Sequence, residues 1–176
     1  KIEDHEKDDF SKSLLIIGKQ IKQIENLVNE FSDFARMPKP ILKDNNLVSL
    51  IKDNIKLINE LDNEIIIDFK TNKSDILLNS DSEQLSRVFF NLIKNSIESI
   101  QDKKINNVDL IGKIDISIND NAEKINFIII DNGLGFGIFA DNIRDILNPY
   151  FTTKKKGTGL GLSIVNKIIN DHNGKI

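Results

Sequence analysis

Apolar residues recur along the first part of the chain at alternating steps of four and three residues. The series consists of Phe10, Leu14, Ile17, Ile21, Ile24, Val28, Phe31 and Ala35. This spacing is typical of the buried seam of a coiled coil or helical bundle, so it predicts one helix from Phe10 to Ala35. Leu15, Leu27 and Phe34 widen the apolar stripe beyond a two-stranded seam, which favours a bundle. Such a stripe requires a partner helix.

Prolines close this helix at Met37-Pro38-Lys39-Pro40. Proline has no amide donor and disfavours helical geometry in the residue before it, so the segment predicts a boundary and a short stiff connector. We therefore expect a partial helical unit over residues 1–37, a linker over residues 38–45 and a second domain over residues 46–176.

Beyond the linker, the pattern alternates between helical and strand periods. It predicts helices over residues 47–61, 82–101 and 159–173, and strands over residues 64–70, 75–78, 113–119 and 124–131. The last two strands should pair antiparallel around the turn at Asp120-Asn121. Residues 134–156 show no clean period, which is typical of a functional or mobile connection. This order predicts an α+β fold with helices on one face of a mixed sheet.

Composition narrows the class of protein. The chain has 176 residues, of which 39% are hydrophobic and 29% charged, as expected for one globular domain with an appendage. A net charge of -3 provides no overall basic field for nucleic acid. The absence of cysteine excludes disulfides and thiolate metal sites. The apolar runs are too short to span a bilayer, and His5 and His172 lack metal-ligand spacing.

Asn91 and Asn95 stand four residues apart on the long predicted helix, so their amides share one face. An amide oxygen is a hard, neutral ligand that suits a Mg²⁺ ion already shared with nucleotide phosphates. Because the chain is rich in asparagine, two ordinary surface amides explain this segment equally well when it is taken alone.

Asp131 follows the apolar run at residues 128–130 and begins the sequence Asp131-Asn132-Gly133-Leu134-Gly135. A carboxylate at the end of a buried strand can accept a hydrogen bond from an exocyclic amine such as that of adenine. Gly133 and Gly135 allow the backbone to approach a flat base closely. A turn aspartate before Asn-Gly is the alternative.

A glycine-rich loop, Gly157-Thr158-Gly159-Leu160-Gly161-Leu162, precedes the last predicted helix. Free amide donors and the positive end of the helix dipole predict an anion site there. The loop is not a Walker A motif, because Leu162-Ser163 stand where Lys-Ser/Thr is required. Lys154, Lys155 and Lys156 can neutralise phosphates if the preceding segment closes as a lid, although a solvated loop is the competing explanation.

Together these segments resemble the catalytic ATP-binding domain of bacterial sensor histidine kinases. The N box corresponds to Asn91–Asn95, the G1 box to Asp131–Gly135, the F box to Pro149–Lys154 and the G2 box to Gly157–Leu162. The likeness runs over about residues 42–176. The sequence Phe34-Ala35-Arg36-Met37-Pro38 is similar to nitrogen-regulation kinases of the NtrY and NtrB kind, in which it ends the second helix of the dimerisation and phosphotransfer domain.

The resemblance implies a Bergerat-type (GHKL) two-layer α/β sandwich with a mixed sheet, preceded by one helix of a dimerisation bundle. It implies ATP and Mg²⁺ as cofactors, with Asn95 as metal ligand and, together with Lys154, as catalytic residue. The implied nucleotide contacts are Asn91 near the phosphates, Asp131 on the adenine amine, Gly133 and Gly135 along the base, Phe151 packing the lid, and Thr158, Gly159, Leu160 and Gly161 around the phosphates.

The implied activity is transfer of the ATP γ-phosphoryl group to a histidine and onward to a response-regulator aspartate. The family's acceptor box is absent here, because His5-Glu6 is followed by Lys7-Asp8-Asp9 without Asn-Pro and lies before the predicted helix. The resemblance therefore places the acceptor upstream of Lys1 and the last strands of the domain after Ile176.

The implied partners are a response regulator and a second copy bound through the N-terminal helix, with no nucleic acid. Membrane attachment would come only through upstream segments, with the kinase portion cytoplasmic. The alternative is a non-catalytic, nucleotide-dependent dimeric signalling module, that is, a pseudokinase. A chaperone- or topoisomerase-type ATPase is disfavoured by the heptad helix and by the short distance between the G1 and G2 boxes.

Overall fold

The computed structural model describes residues 2–61, 64–137, 143–154 and 157–176. The chain divides into two units, Lys1–Pro38 and Lys39–Ile176. The helices are α1 (Ile2–Ala35), α2 (Leu47–Leu61), α3 (Ser82–Asn106), α4 (Ile143–Ile146) and α5 (Gly161–Asp171). The strands are β1 (Lys43–Asn46), β2 (Ile65–Thr71), β3 (Leu77–Ser80), β4 (Gly112–Asp120) and β5 (Ile125–Asp131).

The first unit is the single long helix α1, which has 34 residues. The predicted start at Phe10 is wrong, since the helix already begins at Ile2. The residues before Phe10 are mostly charged and form helix without contributing to an apolar stripe, so periodicity could not mark them. His5 therefore lies within the helix rather than before it, and its side chain is outside the described residues. Ile21 and Ile24 are 61% and 60% exposed in this unit.

Two small sheets form the strand layer of the second unit. Strand β1 pairs antiparallel with β3, while β2 pairs parallel with β4 and β4 pairs antiparallel with β5. The mixed sheet and the antiparallel β4–β5 pair confirm the predicted arrangement. Strand β1 was not predicted, because its residues Lys43-Asp44-Asn45-Asn46 are polar. The strand is defined by its pairing with the distant strand β3 rather than by the β-propensity of its residues.

The core lies between the three-stranded sheet and the helices. Along β4, Ile114, Ile116 and Ile118 are at most 1% exposed, whereas the alternate residues are partly exposed. This period of two places one face of the sheet against α3 and leaves the other toward solvent. On the helical side, Ile93 and Ile100 are fully buried. The helices thus cover one face of a mixed sheet, as the sequence predicts.

The N-terminus of α3 is fixed by Asp81. Its Oδ1 accepts hydrogen bonds from the Glu83 and Gln84 N–H groups at 3.1 Å, and its Oδ2 accepts one from the Ile41 N–H at 2.8 Å. Burial alone would raise the pKa of Asp81, but these backbone hydrogen bonds together hold that pKa below its ordinary value. One carboxylate therefore joins α3 to the chain that follows the prolines.

His172 closes the same junction from the end of α5. The Asp81 N–H donates to His172 Nε2 at 3.0 Å, and His172 Nδ1 lies 2.8 Å from the Ile168 carbonyl oxygen. These bonds require a neutral imidazole with its proton on Nδ1. The end of α5 is thus held against the start of α3, which aligns the two helices that carry the candidate site.

Several element boundaries differ from the sequence predictions by a few residues. Helix α3 continues to Asn106. Lys103 and Lys104 lie in its last turn, where their positive charges interact favourably with the negative end of the helix dipole. Helix α5 begins at Gly161, two residues later than predicted, because Gly159 has a φ of 70° that no α-helix accepts. The short α4 lies within the aperiodic segment. Within the described ranges, every helix is too short or too polar to cross a bilayer.

Candidate functional site

Helix α3 brings the two candidate asparagines to the start of α5. Asn91 and Asn95 are half-buried and one turn apart on α3, which packs against α5. A Cβ atom added to Gly161 would lie 3.6 Å from Asn91 Oδ1 and 3.9 Å from Asn95 Nδ2. The N box and the end of the G2 box therefore face each other directly. Asn95 and Gly161 are 66 positions apart in the sequence.

The first turn of α5 is suited to an anion. The residue before it, Leu160, is fully buried and carries no side-chain oxygen that could cap the helix. The early N–H groups of α5 therefore have no capping side chain, and they lie at the positive end of the helix dipole next to Gly161, which faces the two amides. Thr158 supports the loop, since its Oγ1 accepts a hydrogen bond from the Leu160 N–H at 3.4 Å.

The F box lies directly on the G2 box. The Tyr150 N–H donates to the Gly159 carbonyl oxygen at 3.0 Å. A Cβ atom on Gly159 would lie 2.7 Å from Tyr150 Cα and 2.8 Å from the Phe151 nitrogen, too close for any side chain. Tyr150 itself has a φ of 68°, an unusual backbone conformation for a residue with a Cβ. Phe151, expected to pack the lid, is half-buried.

The G1 box is held against α3 as well. Asp131 ends β5, and its Oδ1 accepts a hydrogen bond from the Gly133 N–H at 2.9 Å. A Cβ atom on Gly133 would lie 2.6 Å from the Ser99 carbonyl carbon and 2.8 Å from the Ile100 nitrogen. Gly133 thus allows close packing on α3, a reason that the sequence did not suggest. Gly135 differs, because it has a φ of 68° and open space around its Cα.

Ser99 and Lys103 anchor this loop and were not among the candidates. Ser99 accepts hydrogen bonds from the Leu134 N–H through its carbonyl oxygen and from the Gly135 N–H through Oγ, both at 3.3 Å. Lys103 Nζ donates to the carbonyl oxygens of Asn132 and Gly133 at 2.7 and 3.1 Å. Both residues continue the four-residue spacing that begins at Asn91 and Asn95, which was the available signal.

Lys154 is also brought to α3. Its Nζ forms a hydrogen-bonded ion pair with Glu98 Oε2, and the other carboxylate oxygen of Glu98 lies 3.9 Å from Lys94 Nζ. Glu98 follows Asn95 by one turn, so Lys154 lies close to the predicted metal ligand. Lys155 and Lys156, the other candidate lysines, lie outside the described residues.

The donor set fits a metal ion that is shared with a nucleotide. Among the described residues, no three His, Cys, Asp or Glu side chains gather into a group that could hold a metal ion by themselves. An amide such as that of Asn95 is a weak, neutral ligand, suited to Mg²⁺ that takes its other ligands from phosphates and water. A surface groove of about 540 Å³, lined by α2 and β2 residues such as Lys52 and Phe69, lies apart from these residues.

The chain is similar to known proteins over most of its length. Residues 80–176 match the family described as histidine kinase-, DNA gyrase B- and HSP90-like ATPase. The chain is 34% identical over 169 residues to a Rickettsia felis protein named as an NtrY-like sensor histidine kinase, an alignment covering 96% of this chain and 27% of that protein. The chain thus spans about a quarter of that relative's length.

Solved structures show the same fold. The catalytic domain of histidine kinase ThkA is 32% identical with a TM-score of 0.63, and the match covers 74% of this chain and 81% of that chain. The structure of ThkA in complex with the response regulator protein TrrA gives a TM-score of 0.71 at 27% identity, covering 90% of this chain and 43% of that chain.

Proposed function

The chain belongs to the family of histidine kinase-, DNA gyrase B- and HSP90-like ATPases, on its sensor histidine kinase branch, and we propose that it is the ATP-binding catalytic core of a sensor protein-histidine kinase. One observation carries the proposal. Helix α3 contacts both glycine boxes, because Asn91 and Asn95 face Gly161 while Ser99 binds the backbone around Gly135. A single helix face thus connects the phosphate end of the site to the base end.

At the phosphate end, Asn95 would hold Mg²⁺ through its amide oxygen and Asn91 would assist beside the phosphates. Bound Mg²⁺ would neutralise phosphate charge. The N–H groups at the start of α5 and in the loop containing Thr158, Gly159 and Leu160 would donate to the phosphate oxygens, a role supported by the position of Gly161 opposite the two amides. Lys154 would add a positive charge from the F box, and Phe151 would pack the segment over the nucleotide.

At the base end, Asp131 would accept a hydrogen bond from the adenine amine. One carboxylate oxygen already binds the Gly133 N–H, which orients the side chain and leaves the second oxygen for the base. Gly135 would line the base pocket, where its positive φ keeps the loop open. Gly133 would contribute indirectly, by allowing the loop to pack closely on α3.

The transfer itself requires mainly position and charge neutralisation. The bond between the γ-phosphorus and the bridging oxygen breaks, ADP leaves, and a bond forms to an imidazole nitrogen of a histidine outside this chain. A response-regulator aspartate would then receive the group, as the pairing of ThkA with TrrA suggests by likeness. We expect a homodimer through α1 and a cytoplasmic kinase portion with any membrane anchor upstream.

The direct test supplies the missing acceptor. The chain would be mixed with a separately produced helical-bundle fragment that carries an acceptor histidine, together with Mg²⁺ and ATP labelled in the γ-phosphoryl group. Acid-labile label on the bundle, absent from its His→Ala variant, is the expected result. Saturable ATP binding without any transfer would instead support the pseudokinase alternative.

A further inference from the structure

Glu98 lies at the candidate site and binds Lys154, which is not expected of an ordinary surface glutamate. It lies one turn after Asn95 on α3, and its carboxylate holds Lys154 in a hydrogen-bonded ion pair. The two side chains are 36% and 31% exposed, so solvent screens the pair only in part. The residues lie 56 positions apart, so the bond joins the F box to the N-box helix rather than two neighbours on one helix.

A carboxylate at this place is electrostatically unfavourable for the proposed ligand. A nucleotide triphosphate brings several negative charges to the side of α3 that carries Asn91 and Asn95. Glu98 adds another negative charge about one helical turn away and also occupies the ammonium group that would bind a phosphate. Lys94 approaches the same carboxylate at 3.9 Å but remains half exposed. Lys154 therefore has two competing anionic partners, the Glu98 carboxylate and the nucleotide phosphates.

We propose that Glu98 is a positioning residue for Lys154: it holds the F-box lysine against α3 beside Asn95 and releases it to the nucleotide phosphates on binding. The inference rests on the proposed function, because it assumes that the phosphates lie at the start of α5. Glu98 and the phosphates compete for one ammonium group. The consequence is that affinity for phosphates is lowered by the carboxylate, while Lys154 stays within reach of them.

The competition predicts an effect that depends on the number of phosphates. Glu98→Gln should tighten ATP binding about two- to fivefold, the range expected for a partly exposed ion pair. AMP, which places its single phosphate nearer the base end, should bind with unchanged affinity. Glu98→Asp, which keeps the charge on a shorter side chain, should give an intermediate change for ATP. A role in folding alone would change the affinities for both nucleotides together.

The experiment measures ATP and AMP dissociation constants by calorimetry for the parent chain and these variants, with Mg²⁺ present throughout. Asp102→Asn is the matched control, because it removes the same charge from the same helix one turn further along. The key comparison repeats Glu98→Gln in a Lys154→Ala background. There, the tightening should shrink to that given by Asp102→Asn, since the competition no longer exists.

Three results would overturn the inference. They are an unchanged or weaker ATP affinity in Glu98→Gln, an equal gain for AMP, or the full gain persisting in the Lys154→Ala background, which would indicate simple charge repulsion. A parent chain that fails to bind ATP would instead contradict the proposed function, and the inference with it. The two failures are therefore distinguishable in one data set.

Discussion

Gly159 and Gly161 stand two residues apart, yet the structure requires them for different reasons. Gly159 has a φ of 70° and its Cα lies against the Tyr150 backbone, so any side chain would be strained and would clash. Gly161 opens α5 in ordinary helical geometry, and an added Cβ would meet Asn91 and Asn95 only at van der Waals distance. The first glycine serves the fold, and the second leaves space between the amides and the helix.

This difference gives opposite expectations for two alanine variants. Gly159→Ala should lower the free energy of unfolding by about 1–3 kcal/mol or more, through strain and the clash with Tyr150. Gly161→Ala should change that free energy by less than about 1 kcal/mol. It should nevertheless weaken ATP binding about tenfold or more, equivalent to about 1.4 kcal/mol, because a methyl group fills the phosphate space.

Chemical denaturation and calorimetry with ATP would check both variants. The assignment of the phosphate space would be contradicted if Gly161→Ala unfolded as readily as Gly159→Ala, or if it bound ATP with the parent's affinity.

The sequence located some site residues and not others for a physical reason. Asn91, Asn95 and Asp131 could be selected because each belongs to a local pattern, a helical spacing or a strand end. Glu98 could not, since its partner Lys154 lies 56 positions away. Ser99 shares the spacing of the two asparagines, but that spacing does not identify its partner Gly135, which lies 36 positions away. Only the packing of the chain reveals which residues on a helix meet a distant loop.

At the scale of elements, α3 is the organising part of the second unit. Its apolar face fills the core with Ile93 and Ile100, and its polar face holds the G1 box and faces the start of α5. Its N-terminus is fixed by Asp81, which also binds the Ile41 N–H and, through its own N–H, His172. A change at this cap should therefore affect stability first and the site second.

Asp81→Ala should lower the free energy of unfolding by about 1–2 kcal/mol, because the Glu83 and Gln84 N–H groups lose their acceptor. Asp81→Asn keeps an acceptor oxygen and should cost less. Denaturation by urea at neutral pH would measure both. A loss in Asp81→Asn as large as in Asp81→Ala would show that the carboxylate charge, and not the cap, stabilises α3.

The same residue predicts a pH dependence. Since the pKa of Asp81 is lower in the folded protein than its ordinary value of 3.8, its contribution to stability is complete above that value. The contribution is lost as the pH falls below 3.8 toward the folded-state pKa. The difference in unfolding free energy between the parent and Asp81→Asn should therefore shrink over this acidic range. A difference in unfolding free energy that stays constant over this range would contradict a lowered pKa of Asp81 in the folded protein.

The strand β1 shows where element prediction from sequence stops. A period of two or of three to four residues marks β4, α2 and α3 because their buried faces repeat. Strand β1 has no buried face of that kind and is defined by its hydrogen bonds to β3. Pairing partners are a property of the folded chain. A short polar strand therefore cannot be recognised from the spacing of hydrophobic residues, which reflects burial.

For the whole molecule, the two units have different surfaces. The second unit buries an apolar core between the sheet and the helices, while α1 carries exposed apolar residues along its stripe, among them Ile17, Ile21, Ile24 and Val28. The fold class and the family were predictable from the sequence and are confirmed by the fold and by the relatives. The proposed homodimer through α1 remains a prediction.

Ile21→Asp tests that prediction, because it places a charge at the middle of the stripe. We expect the parent chain to sediment as a dimer and the variant as a monomer, since burying an unpaired carboxylate in a helical seam is costly. Lys22→Asp, on the adjacent polar flank, serves as a control and should remain dimeric. A parent chain that stays monomeric at high concentration would contradict dimerisation through α1 alone.

The most direct measurement is a calorimetric titration of the chain with ATP, with and without Mg²⁺, beside Asp131→Asn and Asn95→Ala. We expect saturable, Mg²⁺-dependent binding by the parent and weaker, Mg²⁺-independent binding in Asn95→Ala. We expect loss of binding in Asp131→Asn because, with its one oxygen bound to the Gly133 N–H, the amide presents an NH₂ donor to the adenine amine instead of an acceptor. Equal, Mg²⁺-independent affinities in the parent and both variants would contradict the nucleotide site proposed on α3.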